Sequence, residues 1–131
     1  KIVRMAEANR YEVKVAVQTR YVEDQSDPEE ARFIFSYTVT ITNTGTVPAQ
    51  LISRHWIILD SAETEQQIRG LGVIGQQPLL KAGEKFEYTS GCALNTPVGT
   101  MRGSYQMVAE DGTQFEAEIP EFTLAMPRIL H

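Results

Sequence analysis

Residues 68 to 105 read IRGLGVIGQQPLLKAGEKFEYTSGCALNTPVGTMRGSY, and the fold turns on how this stretch is read. Seven of the nine glycines of the chain fall between Gly70 and Gly103. Gly70, Gly72 and Gly75 make a Gly-x-Gly-x-x-Gly run, the spacing of a dinucleotide fingerprint. That fingerprint works only where a buried strand enters the glycine turn and a helix leaves it, because the helix N-terminus holds the pyrophosphate. Neither flank fits. Before the run, Glu65-Gln66-Gln67 is too polar for a buried parallel strand. After it, Pro78 and Gly83 leave no room for a helix. From Lys85 onward Phe86 and Tyr88 alternate with Glu87 and Thr89, which is a strand pattern. Asn95 stands about twenty residues beyond the run, where the ribose-binding acid would lie. The absence of Gly-Lys-Ser/Thr excludes a P-loop.

The run therefore reads as a loop that bends sharply and packs close to a neighbouring backbone, where glycine takes φ > 0 without steric cost. The alternative makes Arg69, Gly70, Gly72, Gly75 and Gln77 a small nest of N–H groups for a pyrophosphate or nucleotide. Arg69 and Arg102 would then supply positive charge.

Outward from this loop the chain alternates apolar and polar residues. Tyr11 to Tyr21 puts Val13, Val15 and Val17 on one face. Arg32 to Asn43 is the clearest strand, with Phe33, Phe35, Tyr37, Val39 and Ile41 on one face and Ser36, Thr38, Thr40 and Thr42 on the other. Asn43-Thr44-Gly45 turns the chain. Ala49 to Asp60 is apolar on both faces, Leu51, Ile57 and Leu59 against Ile52, Trp56 and Ile58, so its period does not say which face is core. Residues 61 to 71 read as a short hairpin return with a weak edge strand. Lys85 to Cys92 is a strand, Asn95 to Gly99 a turn, and Met101 to Glu110 a strand with Met101, Gly103, Tyr105 and Met107 on one face. Asp111-Gly112 is a hairpin turn, and Thr113 to Ile119 returns with Phe115, Ala117 and Ile119 inward. Phe122 and Leu124 continue it beyond Pro120, and Pro127 closes the ordered part.

About seven strands joined by Gly/Pro turns make an all-β antiparallel sandwich. A lone tryptophan, Trp56, on a central strand suits an immunoglobulin-like or fibronectin type III-like layout, and the lack of a cysteine pair favours the fibronectin-like one. The 131 residues read as a single domain with an ordered core from about 11 to 127, long enough to need no staple. The chain opens on Lys1, which reads as a native N-terminal piece missing.

Seventeen acids against twelve basic residues give a net charge of −5, which argues against bulk nucleic-acid or membrane binding. The one cysteine, Cys92, cannot form an internal disulfide and fits a reducing cytoplasm. His55 lies mid-strand and reads as structural or surface; His131 is terminal and reads as mobile. Neither has a Ser, Cys or Asp arrangement that would make it a base, and no His/Cys/Asp set has zinc spacing. Arg54 and Asp60, on one strand face, read as a structural pair or an interface edge. The acidic stretch Glu23 to Glu30 reads as a solvated connection, its sharper alternative being a weak divalent-cation site without EF-hand order. These readings predict no enzyme, no catalytic residue, no cofactor and no metal site.

The ordered motifs resemble the ApaG family over nearly the whole chain, from about Tyr11 to Pro127. They are Phe35-x-Tyr37-x-Val39-x-Ile41-x-Asn43-x-Gly45, Gln50-Leu51-x-x-Arg54-x-Trp56-x-Ile58-x-Asp60, and Arg69-Gly70-x-Gly72-Val73-x-Gly75-x-Gln77-Pro78. Phe86-x-Tyr88-x-Ser90-Gly91, Leu94, Pro97, Gly99, Met101, Gly103 and Tyr105 follow. Two positions depart from the pattern. Ala82 replaces a proline before Gly83, and Ser61-Ala62-Glu63 lacks a glycine expected soon after Asp60. The resemblance implies a fibronectin-type sandwich with no established reaction. It also implies a bacterial link to cobalt tolerance and magnesium efflux, and a gene neighbourhood shared with a diadenosine-polyphosphate hydrolase. Similar eukaryotic domains, appended to F-box proteins and to a polymerase-delta-interacting protein, imply protein–protein recognition. The expected partner is an unidentified protein, and a homodimer through a sheet edge stays open.

Overall fold

The computed structural model describes residues 10–128, so His131 lies outside the described residues. Two antiparallel sheets face each other. One has the order β1-β2-β6, with β1 Val13–Tyr21, β2 Phe33–Asn43 and β6 Lys85–Leu94. The other has the order β4-β3-β7-β8, with β3 Ala49–Asp60, β4 Glu65–Leu71, β7 Val98–Ala109 and β8 Gln114–Ala125. A two-residue strand, β5 Leu79–Leu80, also pairs with β3. The sequence reading did not separate β5 from the glycine loop. The rest is the antiparallel, immunoglobulin- and fibronectin-like sandwich that the alternation predicts.

Strict period-two alternation builds β2. Phe33, Phe35, Tyr37, Val39 and Ile41 are all buried between the sheets. Burying each such side chain stabilises the fold by about 1.5–3 kcal/mol before chain entropy is counted. Trp56, 2% exposed, sits against Tyr37, Tyr105 and Phe122 in edge-to-face contacts with centroids 5.4, 6.3 and 6.0 Å away.

A bulge explains why β3 resisted reading by period. Leu51 opposes Met107 and Ser53 opposes Gln106, so Ile52 is an extra residue on β3. The bulge shifts the phase: Ala49 and Leu51 are buried before it, Trp56 and Ile58 after it. Each face assigned by strict alternation was thus half right. Strand β8 repeats the device. Its register shifts between Ile119 and Phe122, where Pro120 sits, as proline does at bulges and edges.

Gly103 marks a close backbone approach within the larger sheet. A Cβ there would lie 2.0 Å from the carbonyl oxygen of His55, so only glycine lets β7 meet β3 at this point. The acidic stretch folds as two 3₁₀ turns, Glu23–Gln25 and Pro28–Glu30, tied down by Ser26. The Ser26 hydroxyl donates to Val22 C=O and accepts from Ile34 N–H.

Candidate functional site

Strands β4 and β5 are two parts of one edge strand lying along β3. Leu71 pairs with Ser53, and Leu79 pairs with Gln50. Between them residues 72 to 78 leave the sheet and stand opposite only Leu51 and Ile52. The glycine run is therefore an excursion from an edge strand, placed at the β3 bulge.

Polar groups of β3 anchor the excursion. The bulged Ile52 C=O accepts from Gly72 N–H at 2.8 Å and from Gln77 Nε2 at 2.9 Å. Gln50 Nε2 donates to Gln77 C=O, and Leu51 N–H to Pro78 C=O. Arg54 Nη1 donates to Leu71 C=O at 3.0 Å and to Gly72 C=O at 2.7 Å. Gly70 lies opposite Arg54 on β4, and a Cβ there would meet the guanidinium at 2.8 Å. Gly70 thus makes room for the cation that holds the loop.

The tip is a two-residue turn. Val73 and Gln76 exchange both backbone bonds, at 2.8 and 2.9 Å, and Ile74 and Gly75 between them have φ of +42° and +78°. This is the pattern of a type I′ hairpin turn, which ordinarily takes Asn, Asp or Gly at both positions. Val73 is 1% exposed and fills the core beneath the loop, whereas Ile74 is 58% exposed. A β-branched residue at positive φ is an outlier, strained by about 1–3 kcal/mol. Gly72, at φ +61°, could not accept a Cβ, which would lie 2.3 Å from Gln76 C=O. Leu71 and Leu79, 74% and 57% exposed, flank the excursion. A groove beside them is lined by Ile52, Val108 and Phe115.

The residues singled out from sequence separate into groups. Gly70, Gly72 and Gln77 converge on Ile52 and Arg54, and Gly75 is at the tip. Arg69 pairs with His55 and lines, with Arg54, Gly70 and Leu71, a cleft beside the base of the excursion, whereas Arg102 opposes Ile57 further along β3. The N–H groups of Gly72, Val73 and Gln76 each donate to a protein carbonyl. Sequence reasoning missed Ile74, because no local signal marks an isoleucine before a turn glycine as left-handed.

The remaining candidates have structural surroundings. His55 Nε2 lies 3.0 Å from Gln67 Oε1 on the outer face. Asp60 Oδ1 accepts from the N–H groups of Ala62 and Thr64, closing the β3–β4 turn, while Arg54 braces the glycine loop. The two therefore do separate tasks, Arg54 in the middle of β3 and Asp60 at its end. Burial pushes the Cys92 thiol up to about 11, the reverse of an activated nucleophile. Among the described residues no group of three or more His, Cys, Asp and Glu side chains gathers as a metal site would require. No helix among them is long and apolar enough to cross a membrane.

Comparison with known proteins places this architecture. Residues 23–109 match the family model described as the ApaG domain. Protein ApaG of Thiobacillus denitrificans is 63% identical over 127 residues, covering 97% of this chain and all of that protein. Protein ApaG of Dechloromonas aromatica is 61% identical with the same coverage. A crystal structure of a Bordetella pertussis protein, 61% identical, superposes with a TM-score of 0.90 over 92% of this chain and 98% of its own. The matched segment runs through the bulged β3, the Arg54 anchor and the glycine excursion, and the chain belongs to the ApaG family.

Proposed function

We propose that this domain is a non-enzymatic protein-recognition module whose contact surface is the glycine excursion, with Ile74 as its anchor. The observation that carries the reading is the backbone of Ile74. Folding alone favours Asn or Gly at this turn position, yet the chain holds a half-exposed isoleucine there at φ +42°. Strain of this kind persists where the exposed side chain is used. The excursion is rigid at its base, through Arg54, Gln77 and Ile52, so little ordering entropy is lost when a partner covers it. Leu71, Leu79 and the Ile52–Val108 groove extend the apolar surface around the tip, as protein contacts require.

The alternative of a pyrophosphate held by the loop is less well supported. Three of the loop N–H groups already donate to protein carbonyls, and Arg54 Nη1 is bonded to the carbonyls of Leu71 and Gly72. The family's link to cobalt and magnesium then acts through a protein partner rather than through metal ligands of this domain.

Affinity capture from bacterial extract with wild type and Ile74→Asn tests the proposal. It predicts a protein recovered by wild type and reduced at least tenfold by the variant, with neither domain's unfolding midpoint raised by ATP. A wild-type midpoint that rises with ATP, since a ligand binding only the folded state must raise it, would favour the nucleotide reading. Equal recovery by both domains would remove Ile74 from the contact.

A further inference from the structure

We propose that the free edge of β4 pairs antiparallel with β4 of a second copy of this chain, forming a two-fold dimer centred on Gln67.

The pairing of β4 with β3 fixes which groups are free. Gly72 N–H bonds to Ile52 C=O, and Asp60 N–H bonds to Thr64 C=O. Antiparallel alternation then turns the N–H and C=O of Gln66, Ile68 and Gly70 toward β3 and those of Glu65, Gln67 and Arg69 away from it. Those three residues are exposed. They offer an unpaired row of donors and acceptors, the template for adding another strand.

The other edges are blunted by their sequences. Strand β1 carries Lys14, β6 carries Lys85, and β8 carries Pro120 at its bulge. Strand β4, EQQIRGL, contains neither lysine nor proline. Its charges are instead self-complementary. In a two-fold register centred on Gln67, Glu65 of one copy lies directly opposite Arg69 of the other, and the reverse pair forms by symmetry. Directly opposed unlike charges favour a register, and like charges disfavour it. The same register brings Ile68, 43% exposed, against Gln66 of the second copy and covers it. Ile74 and the excursion lie beyond the paired residues, so the dimer and a partner on the loop can coexist. The inference does not depend on the proposed function.

Sedimentation velocity over a wide concentration range provides the test. Wild type is expected to show a weak, concentration-dependent monomer–dimer equilibrium. Glu65→Arg and Arg69→Glu should each weaken it about tenfold, because two attractive pairs become repulsive. The double variant E65R/R69E should restore it. Gln67→Pro removes an outward-facing N–H and the exposed side-chain bonds of Gln67 to His55 and Glu65, none of them part of the backbone pairing of β4 with β3, so it should abolish the dimer while leaving the fold intact. Ile74→Asn should leave the dimer unchanged, which separates this inference from the loop reading. A wild type that stays monomeric at every concentration, a dimer that survives Gln67→Pro, or a double variant no better than the single ones would overturn the proposal.

Discussion

The hydroxyl oxygens of Tyr88 and Tyr105 lie 2.5 Å apart inside the core, joining β6 of one sheet to β7 of the other. Both side chains are buried, and buried hydroxyls must be partnered to avoid an uncompensated desolvation cost. The pair is one of the polar links between the sheets, another being the buried Asn43 Nδ2 donation from β2 to Leu80 C=O of β5. Arg54 places a positive charge near both rings, which eases their ionisation slightly, but burial acts more strongly in the other direction.

That link makes stability sensitive to alkali. Burial moves the Tyr88 phenol from 10.0 up to about 12 and the Tyr105 phenol higher still. The folded chain keeps protons that the unfolded chain releases near pH 10, so the contribution is complete below that pH and falls as pH rises toward about 12. Denaturant midpoints should be insensitive to this pair below about pH 9 and decline above pH 10. Tyr88→Phe should flatten that decline. It should also lower stability near neutrality by about 1–3 kcal/mol, because Tyr105 loses its partner.

The glycines of the excursion are unequal, and alanine substitutions should rank them. At Gly72 a Cβ meets Gln76 C=O at 2.3 Å and φ is +61°, so Gly72→Ala should cost more than about 2 kcal/mol. At Gly75 the φ is +78° but no atom lies within 4 Å, so Gly75→Ala should cost only about 1 kcal/mol. Equal costs by chemical denaturation would show that the Gln76 contact does not set the loop.

Two positions that depart from the family pattern should be improvable. Glu84 N–H bonds to Lys81 C=O across a turn whose third residue, Gly83, has φ +86°, the form that favours proline second. Ala82→Pro should therefore stabilise by about 0.4–1 kcal/mol. Glu63 has φ +65° in the turn after Asp60, where the related pattern has glycine nearby, and Glu63→Gly should stabilise by about 1 kcal/mol. A fall in thermal midpoint for both would contradict these turn assignments.

The sequence made some of this structure plain and hid the rest for physical reasons. Strands β2 and β7 keep one phase through their inward residues, so alternation alone identified Phe35, Tyr37, Val39, Tyr105 and Met107 as core. Strand β3 changes phase at Ile52, and a bulge leaves no mark in a pattern apolar on both faces. That β4 and β5 share one line along β3 is a long-range fact, invisible to local periodicity. The glycine run could be recognised as backbone geometry from its flanks. Its most informative residue, Ile74, could not, because nothing local says that an isoleucine beside a glycine will take a left-handed conformation.

The central claim is that the loop gives up folding stability to present Ile74. Equilibrium denaturation of Ile74→Asn tests it most directly, since asparagine adopts the left-handed conformation readily while isoleucine does not. The predicted result is a variant more stable than wild type by about 0.5–1 kcal/mol, because relieved strain outweighs the half-exposed side chain that is lost. A variant less stable than wild type would show that Ile74 is held there by packing, and the claim would fail.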